Sequence, residues 1–178
     1  MIDLAELMSV ADAALDQVVP RLADPDVRSN ISVATKSSIT DMVTEMDTWS
    51  EATITDTITA LRPADGFLGE EGSSRPSATG VVWVIDPIDG TQCFLNGLST
   101  WCVSIALVHK GEIVFGAVHD PCGGELFRGG PGVGAFCNAR PIRVAEVSDV
   151  TVGMMEVGFS QRVSPGLTLG VMARLLEA

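Results

Sequence analysis

Along the first twenty residues the apolar positions recur three and four apart. Leu4, Leu7, Met8, Ala11, Ala14, Leu15, Val18 and Val19 lie at helical spacing and predict one amphipathic α-helix. Asp3, with Glu6 three residues on, supplies a capping pair at its start, and Pro20 marks its expected end. From Arg21 to Asp41 that period is lost. Pro, Asn, Ser and Asp surround one short β-branched run, which predicts a connecting loop with a short strand or hairpin turn. Helical spacing returns between Thr44 and Leu61, where Trp49, Ile54, Ile58 and Leu61 form a stripe. Asp47 and Glu51 extend that stripe toward the start of the helix. Acids suit the positive end of a helix, yet two on the inner face are a flag for chemistry.

The pattern then changes to that of strands. An apolar step at Phe67-Leu68 leads into Gly69-Glu70-Glu71-Gly72 and a polar loop, and VVWVID at 81–86 has the β-branched and aromatic content of a buried strand. Strands expected near 101–108, 112–118 and 125–128, with turns at HKGE and DPCGG, make a meander, and a pair of short strands around GAFCNARPIRV continues it. TVGMMEVGF at 151–159 predicts one more strand, and PGLTLGVMARLLEA begins a helix. Early helices followed by a meander predict an α+β fold.

With 178 residues, 46% of them apolar, the chain is long enough for a well-packed domain. A formal net charge of -12 excludes nucleic acid and an anionic membrane as direct partners, because phosphate backbones reward the opposite balance. A phosphorylated substrate would need cations as intermediaries. MIDLAELMSV lacks the basic start of a secretory signal and no apolar run approaches membrane-spanning length, so the expected location is the cytoplasm. Cys93, Cys102, Cys122 and Cys137 form no C-x-x-C pair and are expected as reduced thiols. His109 and His119 fall at strand ends and read as turn histidines. The glycines of GGPGVGAF do not match the spacing of a nucleotide-binding loop.

The densest chemistry is WVIDPIDGT at 83–91. A strand ending on Asp86 delivers its carboxylate to a sheet edge, and the short spacing returns Asp89 toward the same point. Two such acids either share a proton or are neutralised by a divalent ion with hard oxygen ligands. Gly90-Thr91 follows as a turn into a short helix, where backbone N–H groups and a hydroxyl suit a phosphate. This favours the metal. Glu70, at the end of another apolar step, is a third carboxylate for a magnesium cluster. Asp-Pro and Asp-Gly are also ordinary turn dipeptides, and DPCGG at Asp120 is read as only that.

In order along the chain, Lys36 with Asp41-x-Val-Thr-x-x-Asp47, GEEG at 69–72, WVIDPIDGT and GELF…GGPGVGAFCNARPI at 124–142 resemble the inositol monophosphatase family of magnesium-dependent, lithium-sensitive sugar phosphatases. The resemblance implies a layered αβαβα fold, of which this chain holds the N-terminal helix pair, the large antiparallel sheet and the beginning of a second α/β half. The expected division is 1–147, a metal- and phosphate-binding domain, and 148–178, the start of the second half. It further implies hydrolysis of a small phosphate monoester, inositol monophosphate first, with two or three Mg2+ ions. Glu70, Asp86 and the Ile88 carbonyl would hold the first ion, and Asp86 and Asp89 would contribute to the second. Asp47 and Thr91, with Glu70, would orient and deprotonate the attacking water. The Gly90 and Thr91 amides would hold phosphate oxygens beside Glu70, Ile88 and Asp89, with Lys36 and Glu71 supporting. A homodimer acting on a phosphorylated metabolite is the implied assembly.

One departure stands out. The family's Trp-Asp motif, which gives the second metal another aspartate, is absent after Asp89; the only later tryptophan, Trp101, precedes Cys102. Histidinol phosphate, fructose-1,6-bisphosphate and 3′(2′),5′-bisphosphate nucleotides therefore stay open as substrates. So does a truncated, non-catalytic metal- or phosphate-binding module.

Overall fold

Asp3 caps the first helix through its Oδ1, which accepts from the Glu6 N–H at 3.2 Å, and α1 runs Leu4–Leu22. The helix continues through Pro20 instead of ending there. Leu22 in the final turn is completely buried, and Arg21 lies 4.3 Å over the Trp49 ring, so packing outweighs the one N–H that the proline removes. These features come from a computed structural model that describes residues 2–28, 33–35, 42–147, 149, 152 and 163–177. After a short α2, Pro25–Arg28, strands β1, Val33–Thr35, and β2, Met42–Thr44, pair antiparallel. Thr44 then starts α3, Glu45–Leu61.

The remaining strands form an 8-stranded sheet in the order β10-β9-β8-β7-β6-β5-β3-β4. They are β3 Gly66–Gly69, β4 Ser74–Arg75, β5 Val81–Asp89, β6 Cys102–His109, β7 Glu112–Asp120, β8 Glu125–Gly130, β9 Gly134–Cys137 and β10 Arg140–Pro141. Every neighbouring pair is antiparallel except β3 with β5, so the expected α+β class with a large, mostly antiparallel sheet is what the chain forms. Helix α4, Thr91–Leu95, follows β5 directly. The turn expected at DPCGG is present, with Asp120 Oδ1 accepting from the Cys122 and Gly123 N–H groups at 2.8 and 2.9 Å.

One sheet face is the core. Register places Trp83, Leu107 and Phe115 in one row and Ile85, Ile105 and Ala117 in the next, all buried with Leu7, Ala11, Leu15 and Val18 of α1 and Ile54 and Ile58 of α3. The opposite face is also apolar but open: Leu68 is 54% exposed, and Val84, Val118 and Phe127 are about a third exposed. Strands apolar on both sides are the pattern of a sheet covered on both sides.

Trp83 is held by a polar anchor. Its Nε1 donates to Asp65 Oδ2 at 3.1 Å, and the same carboxylate accepts from Arg62 Nε at 3.0 Å and from Thr79 Oγ1 at 2.6 Å. Burial pushes the Asp65 carboxyl up, but the bonds from Arg62, Thr79 and Trp83 outweigh it and hold the group below its usual range. Asp65→Ala removes the acceptor shared by Arg62, Thr79 and Trp83 and is expected to cost about 3 kcal/mol in a denaturant titration; an unchanged midpoint would contradict this.

The described residues divide into units Met1–Ile142 and Arg143–Ala178. In the second, α5 spans Pro165–Leu176 behind a Ser164 cap. The strand expected over 151–159 lies, apart from Val152, outside the described residues. No described helix is long and apolar enough to cross a membrane.

Candidate active site

Residues three apart on a regular strand face opposite sides of the sheet, so Asp86 and Asp89 should diverge. They do not. Asp86 pairs with Ser104 and Asp89 with Cys102, so three steps along β5 match two along β6. The extra residue is a β-bulge, and it returns Asp89 to the face of Asp86. Thus β5 continues through Pro87 to Asp89 instead of ending on Asp86, and the bulge, not the end of the strand, brings the two acids together. Glu70 arrives by the parallel pairing: Gly69 lies opposite Ile85, and the Glu70 N–H donates to the Ile85 carbonyl at 3.1 Å. Its side chain hydrogen-bonds Asp86.

The electrostatics follow from this crowding. The Asp86 carboxyl is pushed up to about 7, first by burial, then by its bond to Glu70 and by the negative charges of Glu70 and Asp89. Asp86 Oδ1 is buried with no hydrogen-bond partner. On the other side of Asp89, Cys102 Sγ is 3.9 Å from Asp89 Oδ2, and burial together with the Asp89 and Asp86 charges pushes the thiol up to about 11. All four cysteines are free thiols.

A second constellation adjoins the first. Thr44 and Asp47 form a capping box at the start of α3: Asp47 Oδ2 accepts from the Thr44 N–H at 2.8 Å and from Thr44 Oγ1 at 2.6 Å. Its other oxygen, Oδ1, accepts from Thr91 Oγ1 at 3.1 Å, and the same hydroxyl lies 3.2 Å from the Ile88 carbonyl. Asp47 is 1% exposed. Burial raises its carboxyl above the usual range, against the opposing bonds from Thr44 and Thr91. Gly90 caps α4 at φ +94°, and a Cβ there would stand 2.9 Å from the Thr100 carbonyl, so this left-handed step requires glycine.

Asp47, Glu70, Asp86, Ile88, Asp89, Gly90 and Thr91 thus converge where β3, β5, α3 and α4 meet. Lys36 lies outside the described residues. Glu71 enters through its backbone, which donates to Glu51. Among the described residues no three His, Cys, Asp or Glu side chains are already gathered as a metal cluster; the acids are drawn into pairs, Glu70 with Asp86 and Asp89 with the Cys102 thiol. The donor set nevertheless suits a hard divalent cation. It is all oxygen, it includes the orphaned Asp86 Oδ1, and carboxylates this close must either share a proton or surround an ion. The sequence marks Glu51 only by its place on the α3 stripe; its i, i+4 spacing from Asp47 is the signal that both acids turn inward.

Fold and site together define an α+β scaffold that gathers oxygen donors at the end of a central strand. The chain belongs to the inositol monophosphatase family, whose model matches residues 3–174. It is 41% identical over 122 residues to the Nus factor SuhB of Xylella fastidiosa, covering 68% of this chain and 44% of that protein. It is 39% identical over 122 residues to the histidinol-phosphatase of Chlorobaculum parvum, covering 68% of this chain and 47% of the relative. The crystal structure of the extragenic suppressor protein suhB from Bartonella henselae superposes with a TM-score of 0.75 at 34% identity, over 79% of this chain and 55% of that one. The chain therefore spans about half the length of the relatives it matches.

Proposed function

We propose that the chain carries the metal- and phosphate-binding half of a magnesium-dependent phosphomonoesterase acting on a small phosphorylated metabolite, with inositol monophosphate the first substrate to test. The observation that carries this reading is the buried, partnerless Asp86 Oδ1 beside Glu70 and Asp89. A protein of net charge -12 approaches a phosphate dianion only through cations.

Glu70, Asp86 and the Ile88 carbonyl would hold one Mg2+, and Asp86 with Asp89 would contribute to a second once Asp89 leaves Cys102. When bound, the ions acidify water and neutralise charge on the phosphate and leaving oxygen. The residues do the rest. Thr91 donates to Asp47, which leaves the threonine oxygen able to accept from a water and, together with Glu70, orient it. Asp47, raised by burial, is a suitable eventual proton acceptor. The Gly90 and Thr91 amides, at the start of α4, would receive phosphate oxygens. Lys36 and Glu71 would support the site. We further propose that 1–147 is the binding domain, that 148–178 opens a second α/β half, and that the protein works as a cytoplasmic homodimer. The open apolar sheet face supports a further covering layer.

The test is phosphate release by the chain from inositol-1-phosphate, histidinol phosphate, fructose-1,6-bisphosphate and adenosine 3′,5′-bisphosphate, with and without Mg2+. Mg2+-dependent release from one of them supports the reading. Phosphate binding with no turnover of any substrate favours a non-catalytic module.

The raised Asp86 adds a pH signature. Its folded value of about 7 exceeds the unfolded value of about 4. Without Mg2+, stability should therefore fall as pH rises from about 4 to about 7 and level off above. Mg2+ displaces that proton, so its affinity should rise roughly tenfold per pH unit up to about pH 7. Calorimetry from pH 5.5 to 8.5 reads this, and pH-independent affinity would contradict it.

A further inference from the structure

We propose that Glu51 is a positioning residue that aims Glu70 into the site by clamping the backbone of the turn that carries it. This rests on the metal-site reading above.

Glu51 is 2% exposed, and both its oxygens are spent on one short piece of backbone. Oε2 accepts from the Glu71 N–H at 2.6 Å and Oε1 from the Ser73 N–H at 2.8 Å. The turn is closed from within by the Gly69 N–H donating to the Ser73 carbonyl at 2.7 Å, and tied to β5 by the Glu70 N–H on the Ile85 carbonyl at 3.1 Å. Glu70 is thus fixed between two anchors, β5 before it and Glu51 after it.

Gly69 shows how close the clamp lies. Its backbone is not left-handed, yet a Cβ at this position would run into the Glu51 carboxylate. Glycine is needed here to make room for Glu51, and not for its φ freedom.

A buried carboxylate is an expensive way to close a turn, and the ion pairs among the described residues include none with Glu51. Its placement makes sense in relation to the site. Asp47 and Glu51 are one helical turn apart on the same buried face of α3. Asp47 grips Thr91, and Glu51 grips the Glu70 turn. One rigid helix therefore sets the separation between the water-orienting pair and the metal-holding carboxylate.

Two variants test this in the full chain. Glu51→Gln keeps the shape but turns an amide NH2 toward one of the two backbone donors. Gly69→Ala keeps the carboxylate and pushes it off its seat. Both are expected to speed amide hydrogen exchange at Glu71 and Ser73 and to weaken Mg2+ binding about 10- to 100-fold by calorimetry. Thr79→Val, which loosens the Asp65 anchor away from the site, should leave Mg2+ affinity unchanged, so general destabilisation is separated from positioning. Wild-type Mg2+ affinity in both Glu51→Gln and Gly69→Ala would overturn the proposal, as would unchanged exchange at the two amides. If the wild-type chain binds no Mg2+, the function reading fails, and the exchange measurement alone still decides whether Glu51 clamps the turn.

Discussion

Asp86→Asn is expected to reduce Mg2+-dependent phosphate release by about 10³-fold or more, while making the Mg2+-free protein more stable at pH 8. Both effects have one cause. Asp86 is the group wedged between Glu70 and Asp89, with burial and their charges opposing its ionisation. Neutralising it removes the donor best placed to serve two ions, and also removes the repulsion that a folded chain without Mg2+ suffers above pH 7. At pH 5 the folded carboxyl carries its proton and only the unfolded one ionises, so the stability difference should be much smaller there and vanish below about pH 4. Thermal melts at pH 5 and pH 8, each with and without Mg2+, read the sign directly. Turnover retained at saturating Mg2+ would refute the assigned role, and a variant less stable than wild type at pH 8 would refute the electrostatics.

Asp47→Asn is expected to separate catalysis from folding. The asparagine oxygen can still accept both Thr44 bonds and keep the α3 cap. Its NH2 then faces Thr91 Oγ1, which can accept from it and turn its own proton to the Ile88 carbonyl. The helix is preserved but the proton runs the wrong way: one of the two acceptor sites of Thr91 is taken up by the amide, and no carboxylate stands behind the hydroxyl to receive a proton. The expected loss is about 10²- to 10⁴-fold in kcat with under about 1 kcal/mol of stability. Asp47→Ala, by contrast, also loses the cap, at about 1–2 kcal/mol. Losses of activity that simply track stability across the two variants would contradict the division of labour.

Much of this architecture is legible in local sequence. Helical period marks α1 and α3, and the Asp3 and Thr44 caps follow from short-range chemistry. The meander follows from β-branched runs broken by Lys110-Gly111 and by the Asp120 turn. What is not legible depends on pairing between distant strands. Nothing within 83–91 announces the bulge that puts Asp86 and Asp89 on one face, because bulges are settled against β6. The parallel pairing of β3 with β5, which brings Glu70 to Asp86, closes across the polar loop between Gly69 and Val81. Asp47 and Glu51 were both visible as acids on an apolar stripe. Only the tertiary structure shows that one faces a hydroxyl and the other a pair of backbone amides. Pro20 misleads for the opposite reason, since the burial of Leu22 lies outside any local rule.

Within the first unit the site lies on the sheet face where Leu68, Val84, Val118 and Phe127 are partly exposed. Asp86 and Ser104 share the cross-strand row of Val118 and Phe127, so whatever covers that face would also wall the substrate. The proposed metal and phosphate donors, however, all belong to residues 44–91. The claim that they form a binding site is therefore testable in this chain as it stands.

The most direct test is calorimetric titration of Mg2+ into the full chain at pH 8, with and without inorganic phosphate. The account predicts that Mg2+ binds and that each ligand tightens the other by the same factor, since both meet at Asp86, Asp89 and the Gly90-Thr91 turn. No Mg2+ binding at millimolar concentrations, or phosphate binding indifferent to Mg2+, would contradict it.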